Sequence, residues 1–238
     1  MNFPTISSEQ MEKVDDLATR HFGLDLVQMM ENAGCLTARL AREVIGRLDK
    51  RKITVLVGKG NNGGDGIVTA RHLQNWGAKV TVIIPDHPDN ISKLNNEQLG
   101  VLRSMFVDMQ FNTSRLMWED SVLKADLVID ALLGYKVNRN PEGDYSYLIE
   151  LVNKSKTKKL SIDVPSGLNP DSGEPCNPCI KADYTLALGV IKKGLLEKKA
   201  KEFVGKLYLG DVGIPREVYQ LLGIEMPNLF EKNELVRV

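Results

Sequence analysis

Several residue types are scarce in this chain of 238 residues, and each scarcity closes off a class of function. There are three cysteines and three histidines. His21, His72 and His87 show no ligand spacing. Cys176-Asn177-Pro178-Cys179 is a C-x-x-C, but a zinc site needs two more ligands and no second pair exists. A redox dithiol wants its first cysteine at a helix N-terminus, whereas this pair sits in a loop rich in Gly and Pro, so it reads as incidental. A small, odd cysteine count fits a reducing compartment, and the expected location is cytoplasmic. Net charge is also missing: 31 Lys+Arg face 31 Asp+Glu. A protein that grips a phosphate backbone usually carries a basic excess, so no nucleic-acid partner is expected. No run of about 18 apolar residues occurs, so no membrane partner is expected either. The N-terminus lacks a basic region followed by an apolar one, and no secretory leader is expected.

What is present is ordinary for a folded chain: 42% hydrophobic and 26% charged residues. The length suits one large domain with a sizeable core. The first fifty residues read as helical. Ser7 or Ser8 caps a helix carrying Met11, Val14, Leu17 and Ala18, and a second helix follows Gly23 and ends near Gly46. Its methionines, Met29 and Met30, read as core filler. Short apolar runs then alternate with helices. Residues 53–57, 79–84, 126–130, 159–163, 184–188 and 206–209 predict strands. Helices are predicted over about 65–76, 91–106 and 145–154, and after Pro215. Near-continuous β-branched strands are those buried on both faces. The pattern predicts one three-layer α/β domain over 1–238, with a mostly parallel central sheet and an N-terminal helical extension over about 1–50.

In open parallel sheets ligands bind at the carboxyl ends of the strands, and three such ends stand out. The first is Gly58-Lys59-Gly60-Asn61-Asn62-Gly63-Gly64-Asp65-Gly66. Its glycines suggest backbone that approaches a ligand or takes positive φ. Gly58-x-Gly60-x-x-Gly63 formally matches the dinucleotide fingerprint, with Asp86 placed to hold a ribose hydroxyl. Asp65, read at the start of the next helix, would compete there with a pyrophosphate. The other two ends are Asp130, followed by Ala131-Leu132-Leu133-Gly134, and Asp163, followed by Val164-Pro165-Ser166-Gly167-Leu168. Adjacent strands would bring both acids to one edge of the sheet. A pocket lined by oxygens of Asn62, Asp130 and Ser166 suits a hard cation, and its single carboxylate suits a monovalent one. Asp163 is then left free to move protons.

These stretches occur in one order with Asp171-Ser172-Gly173, Thr185-Leu186-Ala187-Leu188-Gly189 and Asp211-Val212-Gly213-Ile214-Pro215. Together they resemble the YjeF N-terminal domain family, the NAD(P)H-hydrate epimerases. The resemblance implies a Rossmann-like fold. It also implies interconversion of the R and S forms of NADHX and NADPHX, the hydrated reduced nicotinamide cofactors. It implies a potassium ion held by Asn62, Asp130 and Ser166. Substrate contacts would come from Asn61, Asn62, Gly63, Gly64 and Asp65, from Gly134, Tyr135, Lys136, Val137, Asn138, Arg139 and Asn140, and from Asp163 as the catalytic residue. It further implies a homodimer working beside a separate ADP- or ATP-dependent dehydratase. One departure stands out: the family loop carries a small Gly-Thr-Gly-like turn where this chain has Gly134-Tyr135-Lys136. Lys136 and Arg139 are candidates for phosphate contacts, and Lys192-Lys193-Gly194 resembles a family basic position or a surface pair. Two other classes compete: an NAD(P)-dependent oxidoreductase using the glycine fingerprint, and a non-catalytic nucleotide-binding module of the same fold.

Overall fold

The computed structural model describes residues 3–136 and 139–238. A short strand β1 (Thr5–Ile6) leads into α1 (Ser8–Asp16), a π-helical turn extends it over Leu17–His21, and α2 (Leu26–Ile45) follows. The alternating part comprises β2 (Lys52–Val57), α3 (Asn61–Asn75), β3 (Lys79–Ile84), α4 (Lys93–Ser104), β4 (Asp108–Phe111), α5 (Arg115–Leu123), β5 (Leu127–Ala131), α6 (Gly143–Lys154), β6 (Lys158–Ile162) and β7 (Tyr184–Leu188). It closes with β8 (Ile191–Lys192), α7 (Lys201–Val204), β9 (Lys206–Gly210), α8 (Arg216–Leu221) and β10 (Leu235–Arg237). Ser7 caps α1: its side chain accepts from Gln10 N at 3.2 Å while Gln10 Oε1 accepts from Ser7 N at 2.9 Å. This reciprocal pair satisfies two donors that helix geometry leaves free.

Eight strands form one sheet in the order β10-β9-β7-β6-β5-β2-β3-β4, parallel throughout except β10 on β9. The apolar strands alternate between two helical layers. Val55, Val57, Val82, Ile84 and Ile129 pack with α2, α3 and α4, whereas Leu56, Ile83 and Val128 pack with α5 and α6. Burial on both faces is why the strands carry so few polar residues. Strand order reverses between β2, which continues to β3 on one side, and β5 on the other. That is the switch point at which such sheets open a crevice beyond their carboxyl ends.

The N-terminal segment belongs to a second apolar cluster. Ile6, Met11, Val14, Ala18, Met29 and Ala33 pack with Val190, Val212, Ile214 and Val218. β1 pairs in parallel with β8, with Ile6 opposite Lys192, so the helical extension covers the carboxyl-end side of the sheet near β7.

Two expectations are corrected. α3 begins at Asn61 rather than near Asp65, so Asn61, Asn62 and Gly63 form its first turn and Asp65 lies in its second. The positive φ expected for the glycines of the loop is also absent, and close packing explains three of them. None of Gly58, Gly60, Gly63, Gly64 or Gly66 has a positive φ. A Cβ on Gly58 would stand 1.9 Å from the Leu132 carbonyl oxygen, one on Gly63 1.8 Å from the Gly58 oxygen, and one on Gly66 2.6 Å from Ala131 Cβ. They let α3 and β5 close tightly around the loop.

Candidate active site

A cavity of about 610 Å³ opens at the switch point. It is lined by the first turns of α3 (Gly60, Asn61, Asn62, Asp65), the segment after β5 (Leu132–Lys136, Arg139, Asn140), Asp163, and Lys192 from β8. Met11 and Asp15 of α1, with Met29 and Met30 of α2, close another side. The two α2 methionines, expected to be core filler, thus also form cavity wall.

Asp163 follows β6 with φ of +63°, in the left-handed region that Asp and Asn tolerate better than most residues. The turn is pinned to β7 by Asp163 N donating to Leu186 O at 2.7 Å. Asp163 Oδ1 accepts from Leu188 N at 3.3 Å and from Lys192 Nζ at 2.5 Å. Lys192 is only 1% exposed, and its ammonium also donates to Leu188 O at 3.1 Å. Lys192 is therefore no surface charge. An ammonium this deep needs a paired anion, and the acid that looked solitary from the sequence supplies it.

Three further carboxylates lie close by. Asp65 is buried on the cavity wall. Its carboxyl stands well above the ordinary carboxylate range, through burial first, then through the negative charges of Asp163 and Asp15, with Lys192 opposing. Burial likewise raises Asp15, against the hydrogen bond it accepts from Tyr135 Oη at 2.7 Å. Asp130 is raised by burial against four hydrogen bonds. The sign for Asp65 follows from linkage. A folded-state value above the unfolded one means the native state binds more protons, so stability falls as pH rises from about 4. Asp65→Asn is expected to raise the melting temperature at pH 8, with the gain shrinking toward pH 4. Thermal melts across that range check it, and an equal or opposite shift at pH 8 would reject it.

Asp130 does not line the cavity. Its Oδ2 accepts from Ser161 Oγ at 2.7 Å and Ser166 N at 2.9 Å, and its Oδ1 from Ser166 Oγ at 2.5 Å. Ser166 Oγ in turn accepts from Leu133 N at 2.9 Å. Asn62 Nδ2 donates to Leu133 O at 2.8 Å, which fixes the amide orientation and leaves Asn62 Oδ1 buried without a partner. Asn62, Asp130 and Ser166 are thus tied together around the Leu133 peptide, and a polar oxygen is left over among them.

Of the expected substrate contacts, Asn61, Asn62, Asp65, Gly134, Tyr135, Lys136, Arg139, Asn140 and Asp163 share the cavity. Gly63 and Gly64 instead pack against Gly58 and against Met30 and Asn95. Val137 and Asn138 lie outside the described residues. Lys136 pairs with Glu12 at 2.8 Å. Asp86 does not line the cavity; its carboxylate accepts from Tyr145 Oη at 2.5 Å. That hydroxyl also accepts from Lys59 N at 3.3 Å, against Gly58. Tyr145 therefore ties Asp86 to the turn after β2, so that Asp86 is not left free for a ribose hydroxyl. Cys35, Cys176 and Cys179 are free thiols, with Cys179 buried.

Sequence reasoning missed Asp15. The one available signal was a charge four residues after Met11, on the apolar stripe of α1. For Lys192 the sequence shows a basic residue after the fifth strand and no sign of its burial.

The family model for the YjeF-related protein N-terminus matches residues 26–194. The NAD(P)H-hydrate epimerase of Nitrosopumilus maritimus is 36% identical over 190 residues, 79% of this chain and 86% of that protein. That of Elusimicrobium minutum is 35% identical over 221 residues, covering 90% and 97%. The bifunctional NAD(P)H-hydrate repair enzyme Nnr of Moorella thermoacetica is 33% identical over 217 residues, and this chain spans 41% of its length. The crystal structure of yeast ynu0 superposes with a TM-score of 0.85 over 98% of this chain and 99% of that one, at 23% identity, and so shares the fold.

Proposed function

Since the chain belongs to the YjeF-related N-terminal family, we propose that it epimerises hydrated NADH and NADPH at the cavity holding Asp163 and Lys192. The observation that carries this reading is the buried Lys192–Asp163 pair, 2.5 Å apart, opening onto a cavity whose other walls hold Asp65, Asn62 and Tyr135.

The epimeric carbon bears a hydroxyl beside a ring nitrogen. Its departure as water requires one proton and leaves a cation stabilised by the nitrogen. Water returning to either face must give a proton up. The Asp163–Lys192 pair holds the proton that leaves with the hydroxyl and recovers it from the incoming water, so atoms and charge balance over the cycle. The carboxylates of the cavity stabilise the cationic intermediate in a site of low dielectric. The free N–H groups of the first turn of α3, with Lys59 and Arg139 at the cavity mouth, suit the phosphates of the cofactor.

The donors around Leu133 fit an alkali cation. One carboxylate, one hydroxyl, one carbonyl and the unpartnered Asn62 Oδ1 are all hard oxygens. Potassium would be held by Asn62, Asp130 and Ser166, and would supply a fixed positive charge there. Binding stabilises by mass action. KCl is therefore expected to raise the melting temperature more than equal LiCl, and Asn62→Ala to abolish that difference; equal shifts in both salts would reject the site.

A homodimer and cooperation with an ADP- or ATP-dependent dehydratase complete the proposal. A linked second activity is supported by relatives named bifunctional repair enzymes, of whose length this chain spans about two fifths. No helix among the described residues is long and apolar enough to cross a membrane. The activity is tested directly by supplying R-NADPHX with excess dehydratase. Consumption accelerated by the protein supports the reading, and an unchanged rate rejects it.

A further inference from the structure

The Lys192 ammonium has three N–H donors. Two are accounted for by Asp163 Oδ1 and Leu188 O. The remaining side of the ammonium is met by the ring of Tyr135, whose centroid lies 5.6 Å from Nζ, within the range of a cation–π contact. Tyr135 is itself held by its hydroxyl, which donates to Asp15 Oδ2 at 2.7 Å. All four side chains line the same cavity. Asp15 lies on α1 and outside residues 26–194, the segment matched by the family. The neighbouring strand β1 belongs to the same outlying segment and pairs with the backbone of Lys192.

We infer that Asp15 and Tyr135 are positioning residues for the Lys192–Asp163 pair, so that the N-terminal segment of this chain is a working part of its active site. The inference rests on the epimerase reading and deepens it. Asp15 fixes the rotamer of Tyr135. The ring then covers the ammonium, keeps water from its third donor and holds its proton against Asp163. The charged groups facing this assembly are Asp65 from α3, Glu12 and Asp15 from α1, Lys136 from the loop after β5, and Asp163 itself.

The test compares wild type, Asp15→Leu, Tyr135→Phe, their double variant and Tyr135→Leu. A hydrogen bond to a charged acceptor sets the scale, so Asp15→Leu and Tyr135→Phe should each lose about tenfold in kcat with KM little changed. The double variant should lose no more than either, because both changes remove one bond. Tyr135→Leu removes the ring as well and should lose about a hundredfold. Additive losses, or losses carried by KM with kcat unchanged, would overturn the inference, as that is the behaviour of a wall with only a structural role. The first four chains are also compared by urea unfolding. A double variant that unfolds at the midpoint of the single variants supports the coupling, and summed shifts overturn it. A wild-type chain that leaves R-NADPHX untouched removes the epimerase reading instead, and the unfolding cycle still decides whether Asp15 and Tyr135 act as one unit.

Discussion

Asp163→Asn is expected to lower the rate of epimerisation by about a thousandfold or more while the chain still binds the ADP-ribose portion of its substrate. The substitution suits the backbone, since residue 163 has φ of +63° and Asn occupies the left-handed region as readily as Asp. The turn and its Asp163 N to Leu186 O bond should survive. What is lost is the anion facing Lys192. The amide oxygen can still accept from the ammonium, but it no longer neutralises a charge that is 1% exposed. Breaking a buried pair from one side costs about 3–5 kcal/mol, or roughly 10 °C of melting temperature for a chain of this size. Adding Lys192→Met should recover most of that stability and none of the activity. Coupled-assay rates and melting curves on the three chains separate the two effects. Asp163→Asn with more than a tenth of wild-type activity would remove Asp163 from the chemistry, and an unchanged melting temperature would show that the buried ammonium does not depend on the carboxylate.

The strand ends that carry this chemistry could be read from the sequence because a strand buried on both faces must be apolar until it stops. Leu127-Val128-Ile129 and Leu160-Ser161-Ile162 are such runs, and the aspartates that close them fall at the carboxyl edge. β7 matches its predicted span, and β9 runs one residue beyond it. What escaped was set by contacts distant in sequence. β4 is four residues long with mixed polarity, and β10 is a three-residue antiparallel edge strand. Neither has a period long enough to show. The early start of α3 is hidden because Asn-Asn-Gly-Gly favours turns over helix, and only the packing of Gly63 on Gly58 and Gly64 on Met30 makes the helical course the better one. The partners of Asp163 were hidden for the same reason. Asp15, Tyr135 and Lys192 lie on three separate segments, and nothing local to any of them signals the other two.

The packing of those glycines sets the second large effect. Gly63→Ala would place a methyl group 1.8 Å from the carbonyl oxygen of Gly58 and 2.7 Å from its carbon. Both atoms are backbone, so no rotamer change relieves the clash, and the start of α3 must move away from the end of β2. Overpacking against rigid neighbours costs about 3 kcal/mol, which for a chain of this length lowers the melting temperature by roughly 6–12 °C. The same displacement pulls Asn62 from Leu133 O, now 2.8 Å away, and with it the oxygen expected to face the cation. Melting temperature, potassium response and epimerisation should therefore fall together. Gly60→Ala is the matched control. A Cβ there meets nothing within 4 Å, and as the residue capping α3 it should cost about 1 kcal/mol or less. If the two variants melt alike, the loop glycines are not held by close packing, and a ligand's demand for bare backbone becomes the better account of why five of them fall within the nine residues after β2.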